Sequence, residues 1–381
     1  MDFFDNLLTE SDRMVRETAR KFALQEIRPH AFQWEEEGSF PRELYKKAAD
    51  AGILGVGIAE DFGGSGGGPM AMVMAVEGLM QGGSTGVAAG LGSLGIGLPP
   101  ILQSGDKELI QRYAPSALAG ESICGLAITE PNTGSDVAGI QTRAVDQGDH
   151  YLVTGQKLFI TSGVRADFLT TLVRTGDDPH GGLTFLVIDM DLPGVSRSAP
   201  LKKHGWWASD TAEISFDQVK VPHSRRAGPQ GGGFLTLMQN FQTERLALAA
   251  YGVATAGLAI EESLRYARER NAFGKSLMGF QVTRHKFVDM QTRYTAVRTF
   301  LYQVARQMEA GHYLVTEVSM VKNLAAELAI DVCYDAVQIH GGMGYMRETL
   351  VERLSRDARL LSIGGGTQEI MKEIISKSLA L

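Results

Sequence analysis

The spacing of hydrophobic and polar residues divides the chain into three stretches with different periods. Up to about residue 120, hydrophobic residues recur every three or four positions, which is typical of amphipathic helices. Thr9 and Asp12 have the spacing of a capping box, and they predict a first helix that ends before Pro29. Two more helices are predicted over 41–52 and 70–80. The first stretch is therefore predicted to be helical.

The second stretch, from about residue 121, has short β-rich runs separated by Gly, Asp and Pro. Strands are predicted at 151–153, 157–160, 169–173 and 183–188, and around 214–219. Gly155 is interpreted as a turn between the first two of these strands. The runs together predict a small antiparallel β domain of about a hundred residues.

The third stretch follows a glycine-rich linker and is helical again, with helices predicted at 234–269, 280–310, 316–340 and 367–379. Helices precede and follow the strands rather than alternating with them, which argues against a doubly wound sheet. The sequence predicts an α+β fold with an N-terminal helical domain (1–120), a middle β domain (121–228) and a C-terminal four-helix-bundle-like domain (229–381).

Composition and charge narrow the functional class. The 381 residues include 37 basic and 44 acidic side chains, and a net charge of −7 argues against nucleic acid as the main partner. Cys124 and Cys333 are too few and too far apart for a disulfide framework, which fits a reducing compartment. The N-terminus resembles no signal peptide, and the longest apolar run (246–260) is shorter than a membrane span. We expect a cytoplasmic protein without a membrane span.

Two glycine motifs and the histidines are interpreted as structural. Residues 90–95 match G-x-G-x-x-G, and residues 63–67 match G-x-S-x-G. Neither segment follows a predicted strand, which both a dinucleotide-binding turn and a nucleophile elbow require. No two histidines have metal-ligand spacing, so no metal site is predicted.

Three other segments combine residue types that can bind a phosphorylated cofactor. Residues 127–136 form a Gly-Ser turn with free N–H groups and hydroxyls, although an ordinary turn has the same composition. Residues 338–345 end a predicted helix in glycines that allow close backbone approach. They are equally typical of a helix cap followed by a surface ion-pair face at Glu348, Arg353 and Asp357. Residues 268–275 carry three cations and an aromatic, but also suit a solvated turn between helices.

Taken together, these segments resemble the acyl-CoA dehydrogenase family. The Thr-Glu-Pro-x-x-Gly-Ser-Asp run at 129–136 is similar to the first family signature, and the Gln-x-x-Gly-Gly-x-Gly run at 338–344 to the second. The order and spacing match over nearly the whole chain, including the final Gly-Gly-Gly-Thr-Gln-Glu-Ile segment at 364–370. Thr133 is a small departure, because the family usually has a smaller residue there.

The resemblance implies FAD as the cofactor and assigns residues to it and to the substrate. The positions that match flavin contacts are Leu126, Ile128, Thr129, Gly134, Ser135, Phe159, Ile160 and Thr161. Those that match contacts to the pyrophosphate and adenosine, partly across a subunit boundary, are Arg270, Phe273, Gln281, Gln338, Gly341, Gly342, Thr367 and Glu369. Ser135, Phe241, Arg245 and Gly366 match positions along the path of the acyl-CoA.

The catalytic base requires a separate argument. Many relatives carry a Glu where this chain has Gly365, which cannot accept a proton. Glu244 lies on the apolar stripe of the helix predicted over 234–269, where an unpaired carboxylate is costly unless it is functional. Pairing with Arg245, or exposure at the edge of the stripe, would also explain it. The resemblance favours the functional reading, because long-chain and isovaleryl-CoA dehydrogenases place their base immediately before the Arg of this helix.

The expected reaction is therefore α,β-dehydrogenation of an acyl-CoA thioester, with Glu244 as the α-proton base and the Gly365 N–H holding the enolate oxygen. Electron-transfer flavoprotein as acceptor and a homotetramer are further implications of the resemblance. Two alternatives remain: an acyl-CoA oxidase or related flavin oxygenase, and a FAD- or CoA-binding scaffold that has lost catalysis with the Glu at Gly365.

Overall fold

The structure is a computed structural model, and it describes residues 3–381. Helices form the first part of the chain, a sheet forms the middle, and long helices form the remainder, so the predicted α+β organisation is confirmed. The helices of the first part are α1 (Glu10–Phe22), α2 (Ala31–Glu37), α3 (Glu43–Asp50), α4 (Pro69–Leu79), α5 (Thr85–Leu91), α6 (Leu94–Gly97), α7 (Pro99–Gln103) and α8 (Lys107–Leu118).

The predicted capping box at the start of α1 is confirmed. The Asp12 N–H donates to Thr9 Oγ1 at 3.2 Å, and the Thr9 N–H donates to Asp12 Oδ2 at 2.7 Å. The helix ends earlier than predicted, because a π-helical turn at Ala23–Ile27 follows it. Helix α2 was not predicted, since we took Pro29 as the end of the helical segment and the chain resumes a helix only two residues later.

The glycine motif at 90–95 spans the end of α5 and the start of α6, with Gly92 and Ser93 in a turn between the two helices. Gly90 lies in α5, where a Cβ would be 2.7 Å from the Phe40 ring. This glycine therefore allows close packing of α5 rather than binding a dinucleotide.

The middle part forms one twisted sheet. Its strands are β1 (Cys124–Ala127), β2 (Arg143–Asp146), β3 (His150–Thr161), β4 (Phe168–Arg174), β5 (Leu183–Asp189), β6 (Val195–Arg197), β7 (Thr211–Pro222) and β8 (Arg226–Ala227). The order is β6-β7-β3-β2-β4-β5-β8, with β1 also paired to β4. The predicted small β domain is confirmed, and most of its strand pairs are antiparallel. Two pairs differ from that prediction, because β1 and β2 both run parallel to β4. Pairing between strands that are not consecutive in the chain leaves no local sequence signal.

The interpretation of Gly155 as a turn is also wrong. Gly155 lies inside the continuous strand β3, at φ +151°, beside a shift in register with β7. A Cβ there would lie 2.6 Å from Thr142 Cα. Gly155 therefore permits a bulge and close approach of a neighbouring strand, and a turn and a bulge favour the same residue type.

The last part consists of α9 (Gly233–Glu269), α10 (Gln281–Glu309), α11 (Val315–His340), α12 (Leu350–Ala358) and α13 (Gln368–Ser378), with a short hairpin of β9 (Asn271–Ala272) and β10 (Lys275–Ser276) after α9. Helices α9 and α11 pack closely, because Gly252 leaves room for Ala325: a Cβ on Gly252 would lie 2.6 Å from the Ala325 carbonyl oxygen. The predicted long helices are confirmed within a few residues, whereas α12 was not predicted.

The interpretation of 348–357 as a surface ion-pair face is wrong for two of its three residues. Glu348 is exposed, but Arg353 and Asp357 on α12 are buried. Arg353 Nη1 donates to the Gly83 carbonyl oxygen at 2.9 Å, and the Trp206 N–H donates to Asp357 Oδ1 at 2.6 Å. A charged helix face looks solvated in the sequence, and only the tertiary structure shows that other segments cover it.

The three parts share their hydrophobic cores. One core joins the N-terminal helices to α9, α10 and α11, and a second joins the sheet to α7, α8 and the start of α9. Within residues 3–381, no single helix is long and apolar enough to cross a bilayer. By length and composition alone, the bent pair Thr85–Leu91 and Leu94–Gln103 passes that test when taken together.

Candidate functional site

Helix α9 places Glu244 beside the glycine loop, residues Gly364–Gly366, which precedes α13. Glu244 Oε1 lies 3.6 Å from the position that a Cβ of residue 365 would occupy. Leu248, one turn further along α9, fills the rest of that space, with its Cδ1 2.5 Å from the same position. Gly365 and Gly366 have φ of +65° and +101°, a conformation that other residues rarely adopt. The two glycines therefore let the loop lie against the Glu244 carboxylate.

The Glu244 carboxylate has a buried oxygen without a hydrogen-bond partner. Oε2 is inaccessible to solvent and accepts no hydrogen bond within the described chain. Among residues 3–381, no cation forms an ion pair with it within 4 Å. The interpretation of Glu244 as an ion pair with Arg245 is therefore wrong. The residue as a whole is half-buried, and its Oε2 atom is shielded from solvent. Burial raises the pKa of the Glu244 carboxyl to about 7, although the nearby charges of Arg245 and Lys322 lower it.

Two cations bind the carbonyl groups of this loop. Arg245 Nε donates to the Gly365 carbonyl oxygen at 3.1 Å, and its guanidinium lies 5.2 Å from the centre of the Phe241 ring. Lys322 Nζ donates to the Gly366 carbonyl oxygen at 2.6 Å. Sequence reasoning missed Lys322. Its only signal is a charged residue on the otherwise apolar face of α11, which includes Val318 and Ala325.

In the sheet, the two segments that carry the predicted flavin contacts lie side by side. The Leu158 N–H donates to the Thr129 carbonyl oxygen at 2.8 Å, which places Thr129 next to Phe159. The fully buried Lys157 supports this arrangement, since its Nζ donates to the Ile128 carbonyl oxygen at 2.9 Å and to Glu130 Oε1 at 2.8 Å. Sequence reasoning missed this supporting ion pair, although Glu130 stands inside the first signature.

Phe159 is an exposed aromatic on a strained backbone. Its side chain is 63% exposed, and its φ is +62°. Such a conformation costs about 1–2 kcal/mol in a residue other than glycine, and strain of this kind clusters at binding sites. The side chain of the neighbouring Ile160 points instead into the core of the sheet, so only its backbone is free to face a ligand. Of the other flavin positions, Gly134 and Ser135 are exposed, Leu126 and Thr161 are half-buried, and Ile128 is buried.

The second group of predicted cofactor residues lies at the far end of the long helices. Arg270 and Gln281 flank the β9–β10 hairpin, and Phe273 at its tip is 96% exposed at φ +50°. The Tyr266 ring stacks on the His340 ring at 4.2 Å, which brings the hairpin and the C-terminal end of α11 to the same end of the molecule. Gln338, Gly341 and Gly342 are exposed there, and no atom lies within 4 Å of a Cβ built on either glycine.

The two groups do not meet within one chain. Arg270 lies 26 residues beyond Glu244, which corresponds to about 39 Å along a continuous helix at 1.5 Å per residue. Within residues 3–381, no hydrogen bond, ion pair or ring contact joins the hairpin to Phe159 or Glu244. Thr367 stays with the first group, where its hydroxyl caps α13 by accepting from the Ile370 N–H at 3.3 Å, and Glu369 next to it is exposed.

The residues present fit FAD. The exposed Phe159 ring offers a flat apolar surface for an isoalloxazine, and the open space at Gly341 and Gly342 admits a ligand close to the backbone. The exposed Arg270 guanidinium suits a pyrophosphate. The described residues contain no group of His, Cys, Asp and Glu side chains suited to a metal ion.

Comparison with known proteins agrees with this geometry. The models of the acyl-CoA dehydrogenase N-terminal, middle and C-terminal domains match residues 9–121, 125–219 and 231–380. The crystal structure of a probable acyl-CoA dehydrogenase from Mycobacterium abscessus is 48% identical, covers 98% of this chain and 100% of its own, and superposes with a TM-score of 0.96.

Two relatives of known name are similar over nearly the whole chain. The mitochondrial long-chain specific acyl-CoA dehydrogenase of Sus scrofa is 36% identical over 369 residues, 96% of this chain and 86% of its own length. Caffeyl-CoA reductase-Etf complex subunit CarC of Acetobacterium woodii is 35% identical over 380 residues, 97% of this chain and 98% of its own. The chain therefore belongs to the acyl-CoA dehydrogenase family, whose members are FAD-dependent oxidoreductases that act on CH–CH groups.

Proposed function

We propose that this protein oxidises an acyl-CoA thioester to the trans-2-enoyl-CoA and that Glu244 removes the α-proton. The observation that carries this proposal is the buried, unpartnered carboxylate oxygen of Glu244 beside Gly365. When bound, FAD supplies the acceptor for the hydride that leaves the β-carbon. The chain itself binds the thioester, accepts the α-proton and stabilises the enolate.

Glu244 has the properties of a general base at neutral pH. A pKa of about 7 leaves roughly half of the carboxylate ionised at pH 7 and matches its proton affinity to the operating pH. Because Oε2 makes no hydrogen bond within the described residues, it is free to take a proton from a substrate without first breaking a contact. This argues against a catalytically lapsed scaffold, since an idle buried carboxylate would only destabilise the fold.

The glycine loop supplies the counterpart to the base. With Arg245 and Lys322 bound to the carbonyls of Gly365 and Gly366, the loop backbone is held in place, and we propose that the Gly365 N–H receives the enolate oxygen. A preorganised donor of this kind lowers a barrier by about 3 kcal/mol. Ser135, Phe241, Arg245 and Gly366 are proposed to line the acyl-CoA path.

We propose that FAD is bound by two copies of the chain. Phe159, Thr129 and their neighbours would hold the flavin. Arg270 at the hairpin lies about 39 Å from Glu244 along α9, and Gln338–Gly342 lie at the same end of the molecule as the hairpin. A single cofactor therefore needs these distal residues from a second copy, which agrees with the expected homotetramer. This proposal is tested by substituting Arg270 or Phe273. We expect the variant to lose FAD and to sediment as a smaller assembly.

The electron acceptor is proposed to be electron-transfer flavoprotein, as the family resemblance implies. The relative from Acetobacterium woodii is a subunit of a caffeyl-CoA reductase-Etf complex, which supports this partner. Rapid reoxidation of the reduced protein by air would favour the acyl-CoA oxidase alternative instead. The two cysteines are buried free thiols, which suits a reducing compartment such as the cytoplasm.

The deciding experiment is anaerobic titration of Glu244→Gln with acyl-CoA. We expect the variant to keep yellow FAD and to bind acyl-CoA, but to lose flavin bleaching by about 100- to 10,000-fold in rate, because a general base contributes that much. Glu262→Gln, the same change on the same helix, is the control and should bleach normally. Bleaching of Glu244→Gln at the wild-type rate would refute the assignment. A scan of straight and branched acyl-CoAs with an artificial acceptor then defines the acyl chain.

A further inference from the structure

Lys322 is a buried lysine whose observed partner is a backbone carbonyl. It is 1% exposed on α11, and its Nζ donates to the Gly366 carbonyl oxygen at 2.6 Å. Within the described residues, no carboxylate forms an ion pair with it within 4 Å. A buried cation is normally paired with an anion, because its desolvation costs several kcal/mol. The structure therefore needs a reason for a charge at this position.

Holding the glycine loop does not by itself require a charge. The next residue of α11, Asn323, holds the same segment with a neutral amide, since its Nδ2 donates to the Gln368 carbonyl oxygen at 3.1 Å. A neutral donor would thus satisfy the Gly366 carbonyl as well. What the ammonium adds is a positive charge that acts on the Glu244 carboxylate, since the two residues contact adjacent glycines: Lys322 binds the Gly366 carbonyl oxygen, and Glu244 Oε1 lies 3.6 Å from the Cβ position of residue 365.

We propose that Lys322 is a positioning residue for the reaction: its charge stabilises the ionised Glu244 carboxylate, and its hydrogen bond holds the Gly366 peptide against it. This inference rests on the proposed function, because it assumes that Glu244 is the base. It assigns to α11 a part of the site that the family signatures in this chain do not include.

The charges around Glu244 support a role for Lys322 in stabilising the ionised carboxylate. Arg245 on its own helix and Lys322 on α11 both favour the ionised carboxylate, while burial opposes it. The exposed Tyr313 faces Arg245 from the α10–α11 connection, and the exposed Glu369 faces Lys322 from α13. Burial lowers the pKa of the Lys322 ammonium to about 8, so Lys322 is still charged in the range where Glu244 titrates.

The test measures α-proton exchange alone. The holoenzyme is incubated in D₂O with 3-thiaoctanoyl-CoA, whose sulfur at position 3 leaves no β-hydride, and loss of the α-proton signal is followed by NMR from pH 5 to pH 9. For Lys322→Met and Lys322→Gln we expect the apparent pKa of the acid limb of the pH profile to rise by about one unit. Exchange then falls about tenfold at pH 6 and changes less than threefold at pH 9. Lys322→Arg keeps the charge, and its acid limb should have the same apparent pKa as that of the wild type.

The controls separate this proposal from the function on which it rests. Glu244→Gln should lose exchange at all pH values; if it exchanges like the wild type, the base assignment itself fails. If Glu244→Gln loses exchange while Lys322→Met keeps the wild-type limb, the role of Lys322 is overturned and the proposed function stands. Lys372→Met, an exposed lysine on α13, should change nothing. Should the uncharged variants fail to fold, a limb displaced by more than half a unit in Lys322→Arg would also overturn the proposal.

Discussion

Two glutamates in the helical part of the molecule have opposite surroundings. Glu77 on α4 is fully satisfied: Arg298 Nε donates to its Oε1 at 3.1 Å, Arg298 Nη2 donates to its Oε2 at 2.7 Å, and the Tyr302 hydroxyl lies 2.9 Å from both oxygens. Glu244 on α9 has two cations nearby, yet both are bound to the glycine loop, and its Oε2 remains without a partner.

The difference separates a structural carboxylate from a reactive one. The Glu77 charge raises the pKa of the Arg298 guanidinium and, with burial, that of the Tyr302 hydroxyl, so the group acts as a locked ion pair between α4 and α10. A carboxylate with this many donors has no free oxygen for a proton. Glu244 keeps one oxygen available, and the fold tolerates the cost of leaving it so. The hydrogen-bond partners of the two carboxylates distinguish the two residues.

The largest effect on stability is expected at Glu77. Glu77→Gln leaves Arg298 buried without its counter-charge, which should lower the free energy of unfolding by about 3–5 kcal/mol. Denaturant unfolding measures this loss, and turnover per bound FAD should stay at the wild-type value. Glu17→Gln, which removes an exposed pair with Arg20, should cost less than about 1 kcal/mol. A loss of turnover without loss of stability in Glu77→Gln would contradict the comparison.

Substitution of Glu244 is expected to raise the free energy of unfolding, by an amount that depends on pH. The carboxyl has a pKa of about 7 in the folded protein and 4.5 as its ordinary value, so the unfolded chain releases this proton more readily and folding stability falls as pH rises from 4.5 to 7. Glu244→Gln removes that penalty and should stabilise the protein by roughly 3 kcal/mol at pH 8, but by less than about 1 kcal/mol at pH 5. Thermal unfolding of the substrate-free holoenzyme at both pH values measures the difference. Equal effects at pH 5 and pH 8 would show that the carboxyl is not perturbed.

The smallest expected effect is a partial recovery of turnover when the carboxylate is moved from α9 to the glycine loop. Glu244→Gly with Gly365→Glu places an acid within a few ångströms of the original one, but its Cβ meets Leu248 and its φ of +65° costs about 1–2 kcal/mol. Adding Leu248→Ala makes room, and we expect turnover to recover about tenfold over Glu244→Gly alone. No recovery in a triple variant that still binds FAD would show that the base cannot act from position 365.

Much of the fold and part of the site could be predicted from the sequence. The order of helices, strands and helices, the capping box at Thr9 and the bounds of the long helices all come from local periodicity, which the structure bears out. The parallel pairing of β1 with β4 and the burial of Asp357 could not be predicted, because both depend on segments distant in the chain. For the same reason the sequence offered no way to choose between a paired, exposed or functional Glu244 without the family resemblance.

The sequence by itself determined which side chains were available: an acid on the apolar stripe of α9, a glycine where relatives carry their acid, and the two signatures around them. Only the tertiary structure decided that Glu244 and Gly365, 121 positions apart, lie together, and that Lys322 completes their surroundings. The physical reason is that periodicity reports which face of a helix is buried. Which atoms meet across that face depends on how closely two backbones can approach, and here the glycines of the loop and the packing of α11 against α9 set that approach.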